Sequence, residues 1–324
     1  MTTTFHFLNV GHGDCTIIEH DDGQYTIVDI NNGSDLNWNS RFEIAASMGV
    51  LSALELLVFR SANIAPPSYS QLEQAGYHVR LTNPVDYILR TFKGKRPWRF
   101  ILTHPDFDHM RGLAALIQQG LAPHNFWDLP HDKEIAENLQ DWDEPDFLAY
   151  QRLARGDFGN VLQPMRGSYG YRFNRDIDGL AGGHGIEILS PSRKLVDQCN
   201  EYGDWNDLSY VLKVTDHGLT AILGGDAEDV AWDSIVRAHR PADLKCDLLK
   251  ASHHGRRSGF YEPALALMRP QMTVVSVGKK PNTDGSHKYR RYTKNELVLS
   301  TRWNGNITAT FAQDSFKYWR EYEH

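Results

Sequence analysis

The sequence predicts an α/β protein in which two β-sheets pack face to face, with helices on their outer sides. Short runs rich in β-branched and aromatic residues form two clusters, one at the start and one in the second half of the 324-residue chain. Runs with helical periodicity follow each cluster. Several of the predicted strands end in a polar residue of the kind that binds metals, which is typical of a site built at one edge of an α/β scaffold.

The opening of the chain predicts three strands separated by tight turns. The runs FHFLNV (5–10), CTIIEH (15–20) and YTIVDI (25–30) are rich in β-branched and aromatic residues. The segments GHGD and DDGQ lie between them and contain the glycine and aspartate residues that favour turns. Asp29 stands at the end of the third strand, just before the loop NNGS.

Residues 34–97 predict helices and loops, and we interpret them as a first insertion. The run RFEIAASMGVLSALELLVF has helical periodicity, and PVDYILRTFKGK predicts a short helix that begins at proline. The buried strand WRFILT follows. After it, HMRGLAALIQQG predicts one helix that ends at Gly120.

A second insertion is predicted at about 124–183. Its acidic part, 128–146, is interpreted as a solvated segment, with a regulatory or capping role as the alternative. Residues 155–185 are rich in glycine and predict loops. Helices are then predicted at AEDVAWDSIVRAH and YEPALALMR, and strands at IEILS, SYVLKV, LTAILG, CDLLKAS, TVVSVG and ITATFA. We expect residues 1–324 to form a single domain.

Composition limits the classes of function. A net charge of −7 disfavours a protein that coats nucleic acid through its overall charge, although a local basic groove stays compatible with it. The three cysteines are widely spaced and predict no disulfide framework. The N-terminal residues have no basic region followed by an apolar core and so do not predict a signal peptide, and the longest apolar-leaning run, of about twelve residues, is too short to span a bilayer. We therefore expect a cytoplasmic protein that does not act at a membrane.

The segment ILTHPDFDHMRGL (101–113) crowds four metal-binding side chains into a turn between a strand and a helix. These are His104, Asp106, Asp108 and His109. In such a turn the side chains converge, and they would repel or desolvate one another unless cations neutralised them. The crowding therefore predicts bound divalent ions, with a chance surface cluster as the alternative.

Further candidates stand at the ends of later strands. Asp226 ends LTAILGGDAED between a glycine pair and an acidic segment, and His253 and His254 end CDLLKASHHG. Together with Asp29, they extend the pattern of strands that end in a potential ligand.

As an ordered set, these segments resemble the metallo-β-lactamase superfamily, and within it the soluble hydrolase domain of the ComEC-type DNA-uptake proteins. The resemblance runs from residue 5 to about 287, apart from the two insertions. It is carried by FLNVGHGDCTIIE, YTIVDINNG, ILTHPDFDHMRGL, NDLSYVLKV, AILGGDAED, LLKASHHGRRS and VVSVG.

The resemblance implies an αβ/βα four-layer sandwich with one or two divalent ions at the edge of its sheets. It implies that His104 and Asp106 hold one ion, that Asp108 and His109 hold the second, and that Asp226 bridges both. One histidine of the pair His253 and His254 would complete the second site, and Asp29 would orient the ligand loop. The ions would activate a water molecule, and Asp108 is a candidate to accept its proton, so Asp108 and Asp226 are the candidate catalytic residues.

The sequence departs from the superfamily pattern in two places. Asp106 replaces the middle histidine of the usual H-x-H-x-D-H motif, which shifts metal preference from Zn²⁺ toward Mn²⁺ or Mg²⁺. The histidine of the third motif is not apparent, and Asn206 and Asp207 occupy that neighbourhood as candidate supporting residues. The glycines around His12 are interpreted as a turn that brings Asp14 toward the site, with a ligand role for His12 as the minor alternative.

A basic stretch follows the histidine pair. Eleven lysines and arginines against three acidic residues give residues 245–294 a local excess of +8. Guanidinium and ammonium groups suit phosphate oxygens, so Lys250, Arg256, Arg257 and His287 are the candidate substrate-binding residues. Tyr289 and Tyr292 are candidates to stack on bases. The alternative is an ordinary solvated basic helix in HKYRRYTKN.

These features support three hypotheses. The leading one is a metal-dependent phosphodiesterase acting on a phosphodiester substrate, with nucleic acid as the preferred class and Mn²⁺, Zn²⁺ or Mg²⁺ as cofactor. The second is a hydrolase of a small cyclic nucleotide, ester or amide, because the insertions at 34–97 and 124–183 would wall the site off from polymers. The third is a metal-stabilised, non-catalytic subunit that binds a partner protein through those insertions.

Overall fold

The first β-sheet combines the start and the end of the chain. A computed structural model describes residues 2–32, 36, 38–135, 139–276, 285–313 and 315–323. This sheet has eight strands in the order β14-β13-β1-β2-β3-β4-β5-β6. Its strands are β1 (Thr3–Phe7), β2 (Thr16–Glu19), β3 (Tyr25–Val28), β4 (Arg99–Ile101), β5 (Asn125–Trp127), β6 (Asn160–Leu162), β13 (Ile307–Ala312) and β14 (Ser315–Arg320).

The second sheet is built from the second half of the chain. Its six strands follow the order β12-β11-β10-β9-β8-β7. They are β7 (Ile186–Ser190), β8 (Val211–Asp216), β9 (Leu219–Leu223), β10 (Leu248–Lys250), β11 (Met272–Val275) and β12 (Val298–Ser300). The strands predicted from the sequence are therefore present, and β5, β6, β12 and β14 are additional.

The helices are short, and within the described part of the chain none is long and apolar enough to cross a membrane. They are α1 (Trp38–Ser47), α2 (Ala53–Ser61), α3 (Tyr69–Gln74), α4 (Pro84–Thr91), α5 (Phe107–Met110), α6 (Leu113–Gln118), α7 (Glu144–Ala154), α8 (Arg193–Tyr202), α9 (Asp229–Ala238), α10 (Glu262–Met268), α11 (Ser286–Arg290) and α12 (Thr301–Asn304).

Alternating side chains bury both faces of the first sheet. Val28 and Ile101 belong to the core between the two sheets, whereas their neighbours Ile27 and Phe100 pack with α4, α6 and α7 on the outer face. This alternation follows from the two-residue repeat of a β-strand. The outer face of the second sheet is covered by α8, α9 and α10, through side chains such as Trp232. The four layers confirm the predicted αβ/βα sandwich.

The first insertion forms helices, as predicted, and has a small core of its own. Phe42, Leu72 and Tyr77 are buried there. Helix α2 leaves Leu54 and Leu57 largely exposed, at 72% and 67%. The single-domain organisation stays a prediction.

The acidic segment 128–146 corrects one expectation, because it is not simply a solvated insertion. Asp128 and Asp143 are buried. Asp143 accepts a hydrogen bond from Arg111 Nε at 2.6 Å, and Asp146 accepts one from the backbone N–H of Ala114 at 2.8 Å. These carboxylates fasten α7 onto α5 and α6. Glu137, from the same segment, lies outside the described residues.

The helix predicted after the crowded motif is divided in two. Gly112 has a φ of +120°, and a Cβ atom there would lie 3.1 Å from side-chain atoms of Ile30 and Asn32. Glycine is therefore required at this break. Because α5 and α6 are separate, α5 holds Asp108 and His109 in its own orientation.

Parallel strands bring the candidate site residues to one edge. Strands β3, β4 and β5 run parallel in the first sheet, and β9, β10, β11 and β12 run parallel in the second. The turns that follow β3, β4, β9, β10 and β11 therefore share the carboxyl edges of the two sheets. Ligands of open α/β sheets bind at such edges.

Candidate metal centre

Two histidines from the motif after β4 face Asp226, which follows β9. His104 Nε2 lies 3.8 Å from Asp226 Oδ2, and His109 Nε2 lies 3.4 Å from Asp226 Oδ1. All three side chains are buried, and one potential ligand atom from each lies within 4.8 Å of the others. The two Nε2 atoms and Asp226 Oδ1 have no hydrogen-bond partner. Three buried polar atoms that face one another without hydrogen-bond partners fit a shared cation.

Asp29 fixes the orientation of His109. Its Oδ1 accepts the backbone N–H of Thr103 at 2.7 Å, and its Oδ2 accepts the Thr103 hydroxyl at 2.7 Å. The same Oδ2 lies 2.8 Å from His109 Nδ1. A carboxylate can only accept there, so His109 carries a proton on Nδ1 and turns its Nε2 atom toward Asp226.

A second group forms around Asp108. His12 Nε2 and His254 Nε2 lie 3.1 Å and 3.4 Å from Asp108 Oδ2. His254 Nε2 also lies 3.5 Å from Asp226 Oδ2 and has no hydrogen-bond partner. Asp226 therefore lies between the two groups: its Oδ1 faces His109, and its Oδ2 lies near both His104 and His254.

A buried ion pair stands behind His254. Lys250 Nζ lies 2.8 Å from Asp14 Oδ1 and 3.0 Å from the Ser276 hydroxyl. Asp14 Oδ2 is in turn 3.3 Å from His254 Nδ1. This contact leaves the Nε2 atom of His254 for the centre, as Asp29 does for His109.

The geometry favours His254 over its neighbour as the ligand. Both histidines have left-handed backbone angles, with φ of 48° at His253 and 59° at His254, but their side chains contact different partners. His253 Nδ1 lies 2.6 Å from Glu228 Oε1, and His253 Nε2 accepts from Arg256 Nη1 at 2.9 Å. Both of its nitrogens are thus engaged, although Nε2 is also 3.7 Å from Asp226 Oδ2.

Charge pairing keeps the carboxylates of the centre ionised. Burial alone would raise the pKa of Asp108 and of Asp226, but the imidazoles of His12 and His254 beside Asp108, and the charges of His254 and His109 beside Asp226, outweigh it. The pKa of each carboxyl group is held well below its usual range. Conversely, Asp226 and Asp14 overcome the effect of burial and raise the pKa of His254 to about 9. Divalent ions would take over this neutralising role from protons, because a ligating imidazole must be unprotonated.

Asp106 is placed at the margin of the centre. Its Oδ2 lies 3.7 Å from His104 Nε2, but its Oδ1 forms an ion pair with Lys133. The sequence grouped His104 with Asp106 and Asp108 with His109. The structure instead groups His104 with His109, and Asp108 with His254. The assignment of each ligand to an ion stays a prediction.

The two supporting residues near the expected third motif have different positions. Asp207 accepts the backbone N–H groups of Glu228, Val230 and Ala231 at 2.7–3.2 Å, so it caps the amino terminus of α9. Burial raises its pKa to about 6. Asn206 hydrogen-bonds the side chain of Glu228, the partner of His253. Both residues therefore support the segment after Asp226 rather than the centre itself.

The predicted substrate-binding residues separate into two groups. Arg257 is exposed, Arg256 is partly exposed beside His253, and His287 is exposed on α11. Gly285 N donates to Gly255 O at 2.9 Å, which holds the start of α11 against the histidine turn. Lys250 is corrected: it is buried and paired with Asp14, so it is not available to a substrate.

Among the described residues of the basic stretch, Thr293 and Lys294 lie away from the centre. Lys279, Lys280 and Asp284 lie outside the described residues. Lys294 donates its N–H to Pro270 O, and Thr293 contacts Thr273, which places this part at the amino end of β11, away from the centre. Tyr289 is buried, with its hydroxyl on Gly259 O, so its expected stacking on bases is also corrected. The Tyr292 hydroxyl donates to Glu262.

Sequence reasoning missed several residues that support the centre. Thr103, Ser276, Glu228 and Lys133 contact Asp29, Asp14, His253 and Asp106, respectively. Ser276 could have been found from the sequence, because it directly follows β11, as the other candidates follow their strands. Lys133 could not have been found in this way, since it lies far away in the second insertion.

Comparison with known proteins supports the resemblance. No protein-family model matches the chain. The chain is 24% identical over 217 residues to ComE operon protein 3 of Bacillus subtilis, which covers 64% of this chain and 24% of that protein. It is 26% identical over 163 residues to Recombination protein 2 of Haemophilus influenzae, over 48% of this chain and 19% of that protein. The matched part thus spans less than a quarter of these two relatives.

Solved structures with similar folds superpose only loosely. The metallo-β-lactamase fold protein YhfI of Bacillus subtilis is 13% identical, covers 92% of this chain and 95% of its own, and has a TM-score of 0.41. A long form of RNase Z from yeast is 8% identical, with coverages of 92% and 40% and a TM-score of 0.38. These TM-scores are too low to support a fold assignment by themselves. The assignment of the fold depends instead on the four layers and on the ordered motifs. The chain therefore has the αβ/βα architecture of the metallo-β-lactamase fold and is similar in sequence to the ComEC-type proteins.

Proposed function

We propose that this protein is a metal-dependent phosphodiesterase, and that nucleic acid is its substrate. The observation that carries the proposal is the convergence of His104, His109, His254, Asp108 and Asp226 at one sheet edge, with imidazole Nε2 atoms that lack hydrogen-bond partners. Carboxylates and imidazoles in such a set suit Mn²⁺ and Zn²⁺, and the share of carboxylates also admits Mg²⁺.

In this proposal His104, His109 and Asp226 hold one ion, and Asp108, His254 and Asp226 hold a second. Bound divalent ions would supply a water nucleophile at neutral pH by lowering its pKa. Asp29 and Asp14 keep the protons of His109 and His254 on Nδ1, so that the Nε2 atoms remain ligands. Asp108, ionised and facing the same space, is the group to accept a proton during the reaction.

Arginine side chains beside the centre support a phosphate substrate. Arg256 donates to His253, which itself contacts Glu228, so the guanidinium is held beside His253 at the edge of the centre. Arg257 follows it and is exposed. Guanidinium groups bind phosphate oxygens in a bidentate manner, which suits both recognition and charge stabilisation.

Activity measurements with Mn²⁺ test the proposal. Single- and double-stranded DNA, RNA and a bis(nitrophenyl) phosphate ester are incubated with the unaltered protein, Asp108→Ala and Asp197→Ala. Asp197 is an exposed carboxylate on α8 and serves as the matched control. We expect Asp108→Ala to lose about 10²–10⁴-fold in rate and the control to lose nothing. The proposal is refuted if the unaltered protein cleaves nothing that Asp108→Ala leaves intact.

A small substrate is the second candidate function, and one contact favours it. Lys133 belongs to the second insertion and forms an ion pair with Asp106, so this insertion reaches the margin of the centre. An insertion placed there would restrict the entry of polymers. A nucleic-acid substrate should bind much more weakly as salt rises, whereas a small cyclic nucleotide should respond weakly. Full metal occupancy without any hydrolysis would instead favour the non-catalytic alternative.

A further inference from the structure

The loop between β1 and β2 places an additional imidazole at the second group. His12 Nε2 lies 3.1 Å from Asp108 Oδ2, and its side chain is 10% exposed. The centroids of the His12 and His254 rings are 5.3 Å apart. One potential ligand atom each of His12, Asp108 and His254 lies within 4.8 Å of the others. Two imidazoles therefore approach the same carboxylate oxygen from different elements.

The loop is fastened to the turn that carries Asp108. Asp14 N donates to Asp108 O at 3.2 Å, and Asn31 Nδ2 donates to both Val10 O and His12 O. Gly13 has a φ of +129°, and a Cβ atom there would lie 2.4 Å from Asp108 O. Only glycine allows the two segments to approach this closely. Backbone contacts of the β1–β2 loop therefore fix the position of His12 beside Asp108.

The separations in this group are those of atoms that share one cation. Ligand atoms about 2.1 Å from one ion are about 3.0–3.4 Å apart in octahedral or tetrahedral arrangements. The distances from Asp108 Oδ2 to His12 Nε2 and His254 Nε2, 3.1 Å and 3.4 Å, agree with this range. Asp207, which occupies the neighbourhood of the superfamily's missing third-motif histidine, caps α9. The β1–β2 loop is thus the element that brings another imidazole to the centre.

We infer that His12 is a metal ligand, binding the ion held by Asp108 and His254. This inference rests on the proposed metal centre but not on the proposed reaction. It makes the β1–β2 loop part of the ion site, with Gly13 as the residue that permits its approach. The alternative role for His12 is to hydrogen-bond Asp108 and orient it.

Substitutions that keep hydrogen bonding and remove ligation separate the two roles. The glutamine amide of His12→Gln still donates to Asp108 but is a poor ligand. His12→Cys supplies a thiolate ligand. His78, exposed in the first insertion, provides the controls His78→Gln and His78→Cys. Each protein is stripped of metal and titrated with Co²⁺ and Cd²⁺, while bound equivalents and absorption spectra are recorded.

We expect His12→Gln to bind one of the ions at least tenfold more weakly, while His78→Gln matches the unaltered protein. With Cd²⁺, His12→Cys should show a thiolate-to-metal charge-transfer band that His78→Cys lacks. The three native cysteines are buried and common to all variants, so they cancel in the comparison. Unchanged affinity in His12→Gln, or no charge-transfer band in a folded His12→Cys, overturns the inference. If the unaltered protein binds no ion, the proposed function itself fails.

Discussion

Replacing Asp29 by asparagine should weaken metal binding without changing a ligand. The amide has one acceptor where the carboxylate has two, and Asp29 receives hydrogen bonds from the Thr103 backbone, the Thr103 hydroxyl and His109 Nδ1. If the amide nitrogen faces Thr103 N–H, two donors meet. If it faces His109, the ring must move its proton to Nε2, the atom that points toward Asp226.

Either arrangement of the amide should lower the affinity of the protein for Mn²⁺. Loss of a partner that orients a ligating histidine typically costs 10–100-fold in metal affinity, which is about 1.4–2.8 kcal/mol. In the metal-free protein, the unsatisfied donor should lower the free energy of unfolding by about 1–3 kcal/mol. Competition between the protein and a fluorescent chelator for Mn²⁺ measures the first quantity, and urea unfolding in EDTA measures the second.

Asp197→Asn is the control, because it removes the same charge from an exposed position on α8. Equal Mn²⁺ affinity in folded Asp29→Asn and in the unaltered protein would refute the reasoning, since His109 would then need no fixed tautomer to bind metal.

Three further outcomes are expected. Lys250→Met should lower the free energy of unfolding by about 3–5 kcal/mol, because it leaves the Asp14 carboxylate buried without its cation. The double variant with Asp14→Leu should recover part of this loss in urea unfolding, and no recovery would contradict the pairing. Gly13→Ala should lose about 1–3 kcal/mol from its positive φ, with a further loss from the contact with Asp108 O, and Mn²⁺ titration should show weaker binding. Burial raises the pKa of Asp128 to about 6, above its unfolded value, so its contribution to stability falls as pH rises from about 4 to 6. Relative to Asp128→Asn, the unaltered protein should therefore lose about 2 kcal/mol across that range in urea unfolding, and a difference that does not vary with pH would contradict this.

Local sequence patterns predicted strands and helices well where the apolar residues followed a single repeat, of two residues for a strand or 3.6 for a helix. The runs around Phe5, Ile17 and Ile27 became β1, β2 and β3, because buried β-branched and aromatic residues fit a two-sided sheet. The helix expected through Gly112 broke there, because that residue packs against Ile30 and Asn32, which only the folded chain brings near. Similarly, Asp143 was expected in solvent, but the distant Arg111 pairs with it.

The sequence by itself determined the two-sheet class and placed Asp29, His104, Asp226 and the histidine pair at the ends of strands, since strand periodicity and turn residues are encoded locally. Only the tertiary structure decided how these side chains group. It turned His254 toward Asp108 and His253 toward Glu228, and it buried Lys250 against Asp14. Such choices depend on backbone angles at the turns and on partners far away in sequence, so burial and hydrogen bonding in the folded chain decide them.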